Sequence, residues 1–188
     1  MNEILQTLSD AIIKRLPNEF KKSVFLARID DEGRVLIPSG TQNEFVFAGL
    51  DDREGGFFYI RHREGGKIQF SESPTTRKFA AMQNFTRVRY ELRLVACVKN
   101  VEPYFIEEQI RFAMMNAPLP SCAAFANVAI EPVESNVDSI AVLKEESPKK
   151  SKPFDKNLFF ISHDFNIVGD RDFALEYYCE NPCQNSTC

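Results

Sequence analysis

The 188-residue sequence has no tryptophan and only two histidines, His62 and His163. Without Trp, its 17 phenylalanines supply most of the large side-chain volume available to a core. The scarcity of histidine leaves little of the side chain most used for general acid–base work. Both histidines fall within strand-like segments. His163 shares its face with Phe159, Ile161 and Phe165, which suits a core or interface histidine with hydrogen-bonded nitrogens better than a catalytic one. No apolar run approaches the ~20 residues that cross a bilayer, so no membrane contact is expected. The first residues show no basic stretch followed by an apolar one, so no signal peptide is expected and the cytosol is the expected compartment. Neither G-x-G-x-x-G nor G-x-x-x-x-G-K-[ST] occurs, and Gly55-Gly56 and Gly65-Gly66 read as turn glycines.

The five cysteines, Cys97, Cys122, Cys179, Cys183 and Cys188, are an odd number with three crowded into the last ten residues. That is a poor disulfide framework. It is also a poor zinc site, because the three terminal thiols lack a second close pair to complete a tetrahedron. Neither Cys97 nor Cys122 sits beside a basic cluster that would favour a thiolate. Acidic pairs such as Asp30-Asp31, Asp51-Asp52 and Glu145-Glu146 fall at turns or loop edges and read as solvated. The residues therefore point to no catalytic centre, no metal and no cofactor.

What is present is the composition of an ordinary globular chain, 44% hydrophobic and 27% charged, with a net charge of −4. An acidic protein has no global electrostatic reason to hold nucleic acid. Leu5, Leu8, Ile12, Ile13 and Leu16 predict an amphipathic helix over residues 3–16, closed by Pro17. Strands are expected at 24–29, 34–38, 44–48, 57–63 and 67–71, with Glu64, Gly65, Gly66 and Lys67 as a hairpin turn between the last two. Residues 77–82 read as a helical turn.

The alternation is clearest over 87–99. Val88, Tyr90, Leu92, Leu94, Ala96 and Val98 fall on one face, and Arg87, Arg89, Glu91, Arg93 and Lys99 on the other. A helix beginning at Glu102-Pro103 and ending before Pro118, a strand over 125–133, a short helix over 138–146 and a strand over 157–168 follow. Residues 145–156, with two prolines and four lysines, read as an exposed, flexible loop. The expected fold is α+β: one domain over 1–172 with a mostly antiparallel sheet, two main flanking helices, a hairpin insertion around 49–73, and a tail over 173–188 that orders only on a partner. The Arg87, Arg89, Glu91 and Arg93 face is open to three readings: solvent, a phosphate backbone, or acidic residues of a neighbouring subunit in bidentate pairs.

The order of elements resembles the tail-terminator and tail-completion proteins at the neck of tailed bacteriophages. Leu5 to Leu16 is similar to their opening helix. RVRYELRLVACVK followed by EPYFIEEQIRFAMM is similar to their long strand feeding the second helix, and NLFFISHDFNIV, after a segment ending in Glu145-Glu146, is similar to their final strand. The resemblance covers about half the chain. It implies a non-enzymatic virion protein that forms a closed homo-oligomeric ring, a hexamer or dodecamer, between portal connector and tail. Genomic DNA would pass through its lumen without sequence-specific binding. It further implies portal, connector and tail proteins as partners, with assembly in the host cytoplasm. Two features depart from the pattern: the long 49–73 region and the tail with Tyr177 and Tyr178, either of which would serve as an arm onto the next ring. The expected subunit contacts are the arginine face, the 64–67 turn and that tail. The competing expectation is a non-enzymatic adaptor of similar α+β fold.

Overall fold

A computed structural model describes residues 2–17, 20–25, 28–29, 35–38, 45–47, 55–63, 68–72, 86–119, 125–146 and 157–171. The chain order is α1 (Asn2–Ile13), β1 (Phe20–Phe25), β2 (Arg28–Ile29), β3 (Val35–Pro38), β4 (Phe45–Phe47), β5 (Gly56–His62) and β6 (Ile68–Glu72). It continues with β7 (Thr86–Lys99), α2 (Pro103–Asn116), β8 (Phe125–Asn136), α3 (Ser139–Glu146) and β9 (Leu158–Arg171). The fold is α+β. Its main sheet runs β1-β5-β7-β9-β8 with β6 also paired to β7, and a small antiparallel sheet runs β2-β3-β4. Within the main sheet every pairing is antiparallel except β1 with β5.

The period-two pattern of β7 organises the core. Its even-numbered side chains from Val88 to Val98 are all buried in one cluster. Opposite them in register lie Phe58 and Ile60 of β5, and Ile161, Phe165 and Ile167 of β9. Helices α1 and α2 cover this face with Ile4, Leu8 and Ile12 from the first, joined by Leu16 just past its end, and Ile106, Ile110, Ala113 and Met114 from the second. Both sets recur at three- and four-residue spacing, which puts them on one helical stripe. α2 starts where the sequence says: Pro103 occupies the first turn, and the Glu102 carboxylate accepts from the Phe105 N–H at 2.7 Å. α1 closes earlier than residue 16. After Ile13 its last turn loosens, with the Lys14, Arg15 and Leu16 N–H groups donating to the Asp10 and Ile12 carbonyls. No helix among the described residues is long and apolar enough to cross a membrane.

Three expectations are corrected. First, β5 and β6 do not form a hairpin. Both pair antiparallel with β7, so they run in the same direction along it. The Arg63 N–H donates to the Glu91 carbonyl at 3.1 Å, and Ile68 stands opposite Tyr90. Arg63 and Ile68 thus take consecutive places along β7; Glu64, Gly65, Gly66 and Lys67 lie outside the described residues. Second, the 49–73 region is not an insertion on the fold, because β5 lies between β1 and β7 and supplies core side chains. Third, the loop expected from residue 145 starts later, because Glu145 and Glu146 close α3, in line with the helix expected over 138–146. The expected helical turn at 77–82, the rest of the loop at 147–156, and the tail with Tyr177 and Tyr178 lie outside the described residues.

Candidate functional site

The second face of the sheet carries the chemistry. Side chains on β7 that point away from the main core run Arg87, Arg89, Glu91, Arg93, Val95 and Cys97. Their partners in register are Asp170, Val168, Asn166, Asp164, Ser162 and Phe160 on β9. On the other side, Arg61 of β5 stands directly opposite Arg93, and Tyr59 opposite Val95. The face is graded along the strands. At one end Phe57, Tyr59, Val95, Cys97 and Phe160 form a second buried cluster under Val142 and Leu143 of α3. At the other end the face is polar.

α3 is eight residues long, and its placement is fixed at both ends. At its start Asn136 Oδ1 accepts from the Asp138 N–H at 2.9 Å, and Asp138 Oδ1 accepts from the N–H groups of Ile140 at 3.0 Å and Ala141 at 3.2 Å. Ser139 Oγ accepts from the Phe160 N–H of β9 at 3.0 Å. At its end two glutamates sit in the last turn, where the helix dipole disfavours negative charge. The arginines beneath supply the opposing attraction.

Arg61 Nη2 donates to Glu146 Oε1 at 2.5 Å, and Arg61 Nε donates to Glu146 Oε2 at 3.0 Å. The Tyr59 hydroxyl donates to Glu146 Oε2 at 3.0 Å. Arg93 Nη1 donates to Glu145 Oε2 at 2.5 Å and lies 3.5 Å from Glu146 Oε1. Its Nε and Nη2 donate to the two oxygens of Asp164 at 2.6 and 2.9 Å, a bidentate pair. Arg63 Nε approaches Asp164 Oδ2 at 3.3 Å.

Two guanidiniums directly across a strand pair repel. Here Arg61 and Arg93 are held together because Glu146 bridges them and Glu145 and Asp164 neutralise the rest. The Glu146 and Asp164 side chains are only 3% and 6% exposed, so these bonds are weakly screened. Hydrogen bonding to Asp164 and Glu145 outweighs burial and holds Arg93 firmly protonated. Burial pulls the Arg61 pKa down, and the Glu146 hydrogen bond and charge more than offset that. Burial, then the Glu146 charge, push the Tyr59 phenol well above its usual range, so it stays a donor.

Of the residues singled out from sequence, Arg93 is thus committed within its own chain. The acidic partner expected from a neighbouring subunit is supplied by β9 and α3. Farther along the strand, Arg89 pairs with Glu131 of β8 at 2.9 Å, Glu91 accepts from Gln69 of β6 at 3.0 Å, and Arg87 lies 3.4 Å from Asp170. Arg87 and Arg89 keep 35% and 42% of their side chains exposed, so this end remains accessible.

Sequence reasoning missed Tyr59, Arg61, Glu146 and Asp164. Of the acidic pair read as solvated, Glu145 is about half exposed while Glu146 is buried, and simple alternation puts Cys97 on the polar face of β7. Cys97 is instead fully buried beneath α3, and burial with the nearby Glu146 charge keeps its thiol protonated. His62 is exposed on β5. His163 is 3% exposed on the main-core side, facing Leu94 in register, and among the described residues no hydrogen-bond partner reaches its Nε2. It borders a cavity of about 220 Å3 together with Arg111, Met114, Pro132 and Ser135. Burial, aided by the Arg111 charge, lowers its pKa from 6.5 to about 4, so the ring is neutral at pH 7. Among the described residues no three His, Cys, Asp or Glu side chains gather to hold a metal ion. No protein-family model matches the sequence, and no curated protein matches it either.

Proposed function

We propose that this chain is a structural subunit that works by assembly: a ring-forming neck or tail-completion protein of a tailed phage virion, joining portal or connector to tail and conducting DNA. The observation that carries the reading is the succession of long β7, α2, β8, short α3 and long β9, with an opening helix packed against α2. The resemblance implies an opening helix, a long strand feeding a second helix, then a strand, a connecting segment and a closing strand. This succession is consistent with that order, with α3 standing in the connecting segment. The polar face of the sheet supports it from the side of chemistry. Its central arginines are neutralised by carboxylates of the same chain, which suits a body held rigid more than a site that receives an anion. A net charge of −4 suits a conduit that repels DNA along its wall.

In this reading the partners are copies of the same chain, the portal or connector above and tail proteins below. Assembly takes place in the host cytoplasm before incorporation into the virion. Negative-stain imaging of the full-length protein tests it. Closed rings with a central hole are expected; particles with no hole overturn it. A non-enzymatic adaptor of the same fold is the second reading, favoured if the protein captures one partner as a monomer or dimer.

A further inference from the structure

α2 buries one stripe and leaves the opposite one in solvent. Tyr104 and Met115 are 66% and 68% exposed, and Phe105 and Phe112 are about half exposed. On a helix of 3.6 residues per turn these four share one arc, with exposed Glu108 near its middle and Arg111 at one side. An apolar row of this kind on an outer helix is an interaction surface unless something covers it.

We infer that this face docks onto the same face of a second copy of the chain, α2 against α2 in antiparallel sense about a two-fold axis. The residue pattern is complementary to itself. An isologous contact requires that if residue i meets j, then j meets i. Laid antiparallel, Tyr104 meets the second copy's Met115, Glu108 meets its Arg111, and Phe105 meets its Phe112, each pair occurring twice. The three pairings are centred within about 1.5 Å of one another along the axis. They also match across it. A two-fold perpendicular to antiparallel helices brings like flanks together; Phe105 and Phe112 lie on one flank, and Tyr104, Met115 and Arg111 lie on the other. Each contact is of an attractive kind: thioether on phenol, ring on ring, carboxylate on guanidinium. A parallel arrangement gives none of these pairs in one register.

Other features point the same way. The Arg15 guanidinium lies over the Phe112 ring, 3.9 Å from its centroid, which fixes that ring at the border of the patch. Arg111 keeps 55% of its side chain exposed and reaches Glu107 on its own helix only at 3.5 Å, which leaves it able to take a second carboxylate. The edge strand β8 is poorly made for pairing with another chain. It is irregular between Ala126 and Ala129 and between Pro132 and Glu134, Asn127 has φ 52°, and Pro132 has no N–H to give. The helix face is the better-formed contact. The inference does not rest on the ring reading, since the two-fold pair stands equally as a dimer or as the joint between two rings stacked face to face.

Sedimentation equilibrium of the full-length protein tests it through a charge swap. Glu108→Arg or Arg111→Glu alone places like charges together twice per pair and should weaken the two-fold association roughly tenfold. The double variant, with both swapped, should return it to within about threefold of wild type. Failure of the double variant to recover, or a wild-type protein that stays monomeric at its highest soluble concentration, overturns the pairing. If a charge variant melts early, Tyr104→Ala and Met115→Ala give the reading instead. Weaker association with unchanged melting supports the pairing, and unchanged association in both overturns it. Rings that persist while the swap has no effect sink this inference and leave the proposed function standing. A swap-sensitive dimer without rings does the reverse.

Discussion

The two faces of the central sheet are held by different physics. The main face is closed by α1 and α2 through aliphatic and aromatic side chains that fit a period of two on the strands and of 3.6 on the helices. Among the described residues the second face is closed over part of its length, by the short α3, which is held by ion pairs as well as by apolar packing. The first kind of closure is non-directional and tolerant of exchange among apolar residues of similar size. The second depends on particular partners at hydrogen-bond distance, so loss of one leaves the others buried and unpaired.

That difference sets an order of expected effects. Ile110→Ala on the main face should cost about 4 kcal/mol, since it opens a cavity in the largest cluster; denaturant unfolding with an unchanged slope checks it. On the second face, Glu146→Ala should cost about 3 kcal/mol, because Arg61, Arg93 and the Tyr59 hydroxyl lose a shared partner. A cost near zero would mean that α3 is held by Val142 and Leu143 alone. Glu146→Gln tests charge separately from shape and should recover only part of the loss.

His163 links stability to pH on the main-core side. Its folded pKa of about 4 lies below the unfolded 6.5, so the unfolded chain binds the proton first. The associated stability is complete above pH 6.5, is lost as pH falls from 6.5 toward 4, and changes no further below that. The drop is worth about 3 kcal/mol. Subtracting the pH profile of a His163→Leu variant isolates it; parallel profiles across that window would remove His163 from the account. The smallest effect belongs to the open end of the polar face. Arg89→Ala should cost about 0.5 kcal/mol, because Arg89 and Glu131 are both about 40% exposed. A cost as large as that of Glu146→Ala would erase the distinction between the clamped and open ends.

The charge pairs also change how the arginine face is best probed for assembly. Reversing Arg93 would place a carboxylate among Asp164, Glu145 and Glu146, and would read folding and not subunit contact. Reversal of Arg89, whose partner Glu131 is itself about 40% exposed, probes the open end with the clamp intact, whereas reversing Arg87 would set a carboxylate against the buried Asp170.

Most strands were legible because the main face obeys a simple alternation. Val88 to Val98 on β7 and Ile161 to Ile167 on β9 announce their burial one residue at a time. α2 was legible from Glu102-Pro103 at its start and Pro118 after its end. The clamp was not, because nothing near Glu145-Glu146 says that Arg61 and Arg93, 85 and 52 residues away, lie beneath it. Acidic residues at a helix C-terminus run against the local dipole preference, and that mismatch was the one available signal of a tertiary partner. The β5–β6 relation was misread for a related reason. Glu64-Gly65-Gly66-Lys67 between two short strands is the same local text whether the chain reverses or rejoins the same ladder, and only the partner strand decides. Cys97 followed from the clamp: on alternation alone it belongs to the polar face, and α3 turns that end of the face into a core.

The central claim is that the chain acts as an assembled body with the middle of its arginine row turned to its own carboxylates. The native mass of the full-length protein, measured across a concentration series, tests it most directly. The account predicts a multi-subunit species, of about six or twelve copies if the ring closes by cyclic symmetry. A monomer at every concentration would contradict it.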